Sequence, residues 1–150
     1  MEKQTLRFMI FCNPPKNTSQ GSLTVLRSKK GKLFIGKKSG SKAKQTVSFF
    51  LDILKPYVPQ KPLVRPLKAE IRWVYPFRKC EHKNISGYKY CDKRPDIDNL
   101  LKLFLDCMTK SGFWVDDAQV ADLRFVKLWG EMPYISVYLE ELPIDTFFID

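Results

Sequence analysis

The apolar positions change period along this chain, and each change marks an element. Leu6–Phe11 is a short apolar run closed by Asn13-Pro14-Pro15, which predicts a buried first strand. Leu23–Leu26 and Lys32–Ile35 flank Arg27-Ser28-Lys29-Lys30-Gly31 and predict a small hairpin with a basic tip. Val47, Phe50, Leu51 and Leu54 then recur at i, i+3, i+4 and i+7, the face of an amphipathic helix. Ser39-Gly40-Ser41 supplies its start and Pro56 its end. Pro56–Pro66 carries four prolines and reads as a stiff connector. Leu67, Ala69, Ile71, Trp73 and Tyr75 alternate with Lys68, Glu70 and Arg72, a strand with one wet face. Arg78–Lys93 is polar, basic and turn-rich, and is expected to be a mobile loop.

The period returns to helical over Ile97–Lys110. Asp98, Lys102, Asp106 and Thr109 share one stripe. The remaining apolar residues cover an arc of about 200°, more than a surface helix needs. Such a helix is covered on two sides, by a sheet and by a partner subunit, or else it is fully buried within one chain. Gly112 suits the position just past its end. In Val120–Trp129, Val120, Leu123 and Phe125 alternate with Asp122, Arg124 and Lys127, another strand. Pro133–Leu139 is the last strand. The tail after Leu142 is apolar for a chain end and is expected to dock on the fold or on a partner. The elements predict one α/β (α+β) domain over residues 1–150, with a small mixed sheet of about four strands and two main helices.

Charge changes the picture, because it is segregated. The net charge of +10 divides into +17 over residues 1–94 and −7 over residues 95–150. A basic half of this kind suits a polyanion, although lysine also serves solubility alone. The basic positions concentrate at Lys16, Arg27, Lys29, Lys30, Lys37, Lys38, Lys42, Lys44, Arg78, Lys79 and Arg94, the candidate phosphate contacts. The hairpin tip reads equally as a DNA-contacting arm or a solvated turn. At 44% hydrophobic residues the chain is not disordered. It has no apolar run of membrane-spanning length and no signal-peptide pattern at its start, so a cytoplasmic setting with reduced thiols is expected. Cys12 and Cys107 lie in apolar runs and read as small core residues. Cys80, His82 and Cys91 lack the paired close spacing of structural zinc sites, and a lid or DNA-contacting loop fits that stretch better.

The acidic half holds the candidate chemistry. Asp96 and Asp98 precede or open the central helix, and Asp116 and Asp117 follow it. These carboxylates converge if the chain turns back after the helix. Asp96, Asp98 and Asp117 together would suit Mg²⁺, a hard ion that takes carboxylate oxygens and keeps several waters for exchange with phosphate. Such a site supports phosphodiester hydrolysis. Lys102, one turn after Asp98, can pair with the acidic cluster or meet charge on the reacting phosphate. Plainer roles stand beside these. Asp96 or Asp98 can be the helix N-cap, Asp116-Asp117-Ala118-Gln119 can be a capping box, and Lys102 can be a simple i, i+4 partner.

Arg94-Pro95-Asp96-Ile97-Asp98-Asn99-Leu100-Leu101-Lys102, followed by Gly112-Phe113-Trp114-Val115-Asp116-Asp117-Ala118-Gln119-Val120, resembles the signature of the RusA family of Holliday junction resolvases. Asn13-Pro14-Pro15-Lys16-Asn17 is similar to the start of that family's pattern. The resemblance is close over residues 94–128 and elsewhere extends only to the order of elements. It implies a RusA-like, dimer-forming fold and a Mg²⁺-dependent endonuclease, with Mn²⁺ as a possible substitute. The substrate would be four-way junction DNA, nicked symmetrically on opposing strands. It implies that Asp96, Asp98 and Asp117 hold metal, that Lys102 is the essential lysine, that Asp116 orients Asp117, and that Asn99 positions the helix start. Phage or prophage origin would fit. The long Arg78–Lys93 stretch departs from the pattern. A non-catalytic nucleic-acid binding protein and a metal-dependent nuclease acting on other branched DNA are the competing readings.

Overall fold

The computed structural model describes residues 2–16, 22–38, 41–80 and 86–149. Its strands are β1 (Thr5–Ile10), β2 (Ser22–Arg27), β3 (Leu33–Lys38), β4 (Leu67–Pro76), β5 (Lys89–Tyr90), β6 (Val120–Gly130) and β7 (Tyr134–Glu141). Its helices are α1 (Ser41–Leu54) and α2 (Ile97–Ser111), with 3-10 turns at Lys55–Tyr57 and Asp117–Gln119. The main sheet has the order β1-β7-β4-β6-β5, and β2-β3 forms a separate antiparallel hairpin. The sheet is mixed, as predicted, but has five strands rather than about four. The extra one is β5, a two-residue edge strand against β6 inside the stretch read as a loop. Residues 81–85 of that stretch, His82 included, lie outside the described residues.

β4 runs parallel to β6 and antiparallel to β7. A parallel pair needs a long crossover, and α2 supplies it. The helix therefore runs back across the sheet, its N-terminus near the end of β4 and its C-terminus near the start of β6. The alternation of β4 sends Leu67, Ala69, Ile71, Trp73 and Tyr75 into the core beneath the helices. Phe50 of α1, Trp73 of β4 and Phe104 of α2 meet edge to face, with centroids 5.3 to 5.6 Å apart, and lock the two helices to the sheet. Leu100, Phe104, Cys107 and Met108 are the buried stripe of α2, while Leu101, Leu103 and Leu105 are only half-buried and Ile97 is exposed. The wide apolar arc is thus not used up within one chain.

The C-terminal ends of α1 and α2 follow their local signals, while Ser39 and Gly40, read as part of the start of α1, lie outside the described residues. α1 stops at Leu54, two residues before Pro56. α2 stops where Gly112 takes φ 94° and donates its N–H to the carbonyls of Met108 and Thr109. Of the two expectations for the tail, docking on its own fold is not met, since Ile144, Phe147, Phe148 and Ile149 are exposed; a partner is the expectation that stands. The opposite face of the sheet carries a concavity of about 820 Å³ lined by Arg7, Arg72, Arg124, Tyr88 and Tyr90 among others, and none of the candidate aspartates reaches it. No helix is long and apolar enough to cross a membrane among the described residues.

Candidate active site

The loop from Cys91 to Asp96 delivers the first two aspartates. The Arg94–Pro95 peptide bond is cis, Pro95 is buried, and Asp96 takes the N-cap position of α2 in extended conformation (φ −70°, ψ 147°). Its carbonyl accepts the first helical bond, from Leu100 N at 3.1 Å. Its side chain makes no cap. The carboxylate is therefore exposed at a helix N-terminus, without the role that usually puts Asp there. Asp98 lies inside the first turn of α2 rather than in an extended segment, and it too is exposed. Lys102 is exposed one turn further on.

At the other end of α2 the paired aspartates divide their roles. Asp116 is a true cap. Its Oδ1 accepts from Ala118 N at 2.8 Å, and Gln119 Oε1 accepts from Asp116 N at 3.0 Å, the reciprocal bonds of a capping box. Gln119 does more than close that box. Its Nε2 donates to the carbonyls of Leu63 and Arg65 at 3.0 and 3.1 Å, tying the start of β6 to the connector before β4. Asp117 is left exposed beside Asp106 of α2. Its pKa is raised, by partial desolvation first and then by a hydrogen bond with Asp116 and the charge of Asp106. Asp106 was visible in the sequence as a member of the Asp98–Lys102 stripe, but nothing local gave its contact with Asp117.

Within one chain, Asp96, Asp98 and Asp117 are not brought together. Asp98 and Asp106 are eight residues apart, about 12 Å along the helix axis, and Asp117 stands by the far one. The chain after α2 does turn, but into a bridge between Trp114 and Leu63 and then into β6, not back to Asp96. Among the described residues no group of three or more His, Cys, Asp or Glu is arranged to hold a metal ion. The zinc reading fares no better: Cys80 is exposed and Cys91 is buried.

The basic candidates fall in two places. Lys16 and Arg78 converge on the ring of Trp129, at 5.8 and 5.3 Å from its centroid, and Lys16 also lies 5.8 Å from the ring of Tyr75. Tyr75 fixes this strand-end loop by donating its hydroxyl to Pro15 O at 2.9 Å. Trp129 is two residues beyond Lys127, about 7 Å along β6, so this pair lies near the Asp96 loop. Lys79 and Arg94 are exposed in the same region. The second group is the hairpin and α1. Arg27, Lys29 and Lys30 are exposed at the hairpin tip, and Lys42 and Lys44 are exposed in the first turn of α1. Lys37 and Lys38 belong to β3, but their side chains lie outside the described residues.

Sequence reasoning missed Lys127. It was assigned to the wet face of β6, yet it pairs with Trp73 on the core face and is only 8% exposed. Its ammonium donates to the carbonyls of Lys93 and Pro95, the latter at 2.7 Å. The signal was in the spacing: Lys127 stands two residues after Phe125 and four after Leu123, on their face of the strand, but its charge grouped it with Asp122 and Arg124.

Residues 14–140 match the model of the family described as endodeoxyribonuclease RusA. The chain belongs to that family. Similar relatives are the crossover junction endodeoxyribonucleases RusA of Escherichia coli (strain K12), of Enterobacteria phage 82 and of Shigella sonnei (strain Ss046). Each is 58% identical over 36 residues, which is 24% of this chain and 30% of the relative. The close match is therefore short, while the family match runs from the Pro14-Pro15 turn to β7.

Proposed function

We propose that this protein is a divalent-metal-dependent endodeoxyribonuclease that resolves four-way DNA junctions by paired nicks, acting as a homodimer. The observation that carries the reading is the family match over residues 14–140, within which Asp96, Asp98, Lys102 and Asp117 all stand. The donor chemistry fits a hard cation. Asp96 occupies a cap position without capping, and Asp117 carries a raised pKa beside Asp106 and Asp116, a concentration of negative charge that a cation relieves. When bound, Mg²⁺ or Mn²⁺ would supply Lewis acidity to a phosphoryl oxygen and acidify the attacking water.

The chain's own residues then divide the work. Asp96 and Asp98 offer oxygens from one end of α2, and Asp117, with Asp106 beside it, offers them from the other. A homodimer can bring one chain's Asp96 and Asp98 to its copy's Asp117, and the half-buried leucines and exposed Ile97 of α2 are the apolar surface for such pairing. Lys102 meets charge on the phosphate. Lys16, Arg78 and Arg94, near the Asp96 loop, hold the backbone of the strand being cut, and Arg27, Lys29, Lys30, Lys42 and Lys44 contact the arms. Such contacts position DNA without reading its sequence.

The test is a Mg²⁺ titration against a labelled synthetic four-way junction beside a linear duplex of the same arms. Paired nicks on the junction alone are the expected result. Salt-sensitive binding without cutting at any Mg²⁺ or Mn²⁺ level would instead make this a junction-binding protein. Equal cutting of flaps and junctions would make it a general branched-DNA nuclease.

A further inference from the structure

We infer that Lys127 is a positioning residue for the Asp96 carboxylate, holding the loop that aims it. The inference rests on the metal reading of Asp96 given above. Nothing bonded to the Asp96 side chain as a cap fixes it, so its direction is inherited from the backbone it stands on. That backbone is pinned by one residue of β6 in two ways. The main-chain carbonyl of Lys127 accepts from Cys91 N at 3.0 Å, and its ammonium donates to the carbonyls of Lys93 and Pro95. Pro95 O belongs to the peptide unit that leads directly into Asp96. The clamp therefore grips the loop where it enters from β5 and again where it leaves into α2.

The residue type follows from the task. Two carbonyls on a loop packed over the core need donors, and burying them unpaired is costly. A lysine reaches them with a four-methylene stem that packs among apolar neighbours, and its head offers three donors. A serine or asparagine on a strand at this depth is too short. A partly exposed position would not need so long a stem, but Lys127 is nearly as buried as the aromatic core around it.

The test uses the full chain and reads metal binding directly, by the electron paramagnetic resonance signal of free Mn²⁺. Wild type, Asp96→Asn, Lys127→Met and Lys127→Arg are compared, with thermal unfolding and metal-free junction binding measured on each. Lys127→Met is expected to weaken Mn²⁺ binding by about ten-fold or more, the usual consequence of losing a group that orients a ligand. Junction binding without metal should be kept, because no phosphate contact is lost. Lys127→Arg keeps donors but cannot meet both carbonyls in the same geometry. It should fold like wild type and bind Mn²⁺ with intermediate affinity, a result that a purely structural lysine would not give. If Lys127→Met does not fold, Lys127→Arg carries the test alone. Wild-type Mn²⁺ affinity in a folded Lys127 variant, with Asp96→Asn impaired, would overturn the positioning role and leave the metal reading standing. Wild-type affinity in Asp96→Asn would overturn the metal reading, and this inference with it.

Discussion

Asp96 and Asp116 hold the same position in two helical segments, and the fold treats them differently. Each is an N-cap in extended conformation, Asp96 at φ −70°, ψ 147° and Asp116 at φ −147°, ψ 139°. Asp116 accepts from Ala118 N and stands in a complete capping box. Asp96 makes no cap bond, although α2 is the longer helix and has more to gain from one. A cap is worth about 1 kcal/mol, so leaving it unmade at Asp96 forgoes stability for an exposed carboxylate. The contrast separates the four aspartates into one that the fold uses and three that it leaves available: Asp96, Asp98 and Asp117.

The strongest way to break this division is to neutralise one aspartate of each kind. Asp96→Asn is expected to reduce junction cleavage on the order of 10³-fold, since the electrostatic contribution of a bound metal is several kcal/mol and each 1.4 kcal/mol is ten-fold. Binding of the junction should persist or tighten, because a charge that repels phosphate is gone. Asp116→Asn should leave both nearly unchanged, asparagine being as good a cap as aspartate. Single-turnover cleavage of a labelled junction checks the pair. Comparable losses in both variants would erase the distinction.

The next effect is on stability. Gln119→Ala removes the acceptor for the N–H groups of Val115 and Asp116 and the donor to the carbonyls of Leu63 and Arg65. Groups left without partners at a half-buried site cost about 1–3 kcal/mol. The expected outcome is a lowered denaturation midpoint with an unchanged m-value. A loss below about 0.5 kcal/mol would mean that water replaces the glutamine and that the Asp116 box is not a load on the fold.

Much of this was legible in the chain, and the failures have physical causes. The strands β4 and β7 and both helices follow from local period, because one face of each packs on a single core. β1, read from its apolar run as buried, is a strand at the sheet edge with only Phe8 and Ile10 buried and Met9 exposed. The Gly112 stop and the capping box at Asp116 are local hydrogen-bond patterns, readable from residue type and spacing. The parallel partnership of β4 and β6 has no local signal, since register across a crossover is fixed only by the packed helix. β5 is two residues long and carries no period at all. Lys127 was hidden by its residue type: it follows Phe125 by two residues and shares its core face, but a charged side chain reads as solvent-facing. The candidate aspartates were legible as residues but not as an assembly. Whether a chain turns back to its helix start is a tertiary fact, and within one chain it does not.

A smaller effect sharpens the role of the cap itself. Asp116→Ala should cost about 1 kcal/mol, against a few tenths for Asp116→Gly, because alanine at an N-cap neither accepts from Ala118 N nor exposes it to water. Chemical denaturation of the two variants checks the order. If Asp116→Ala also slows cleavage far beyond its loss of stability, Asp116 acts on Asp117 as well as on the backbone.

The smallest predicted effect concerns Asp117 and its neighbour. The pKa of Asp117 is raised in the folded chain, and Asp106 contributes to that after desolvation and the bond to Asp116. A carboxyl with a raised folded pKa binds more protons in the native state than in the unfolded one. Its contribution to stability is therefore present at low pH and is lost as pH rises through the folded value. Asp106→Asn should lower the Asp117 midpoint part of the way, because desolvation and Asp116 remain, and should flatten that slope. A ¹³C titration of the Asp117 carboxyl measures the first and denaturation across acid pH the second. A midpoint that does not move would mean the two side chains are apart in solution. A cation bound at Asp117 should mimic the substitution, since it too removes the reason for that carboxyl to hold its proton.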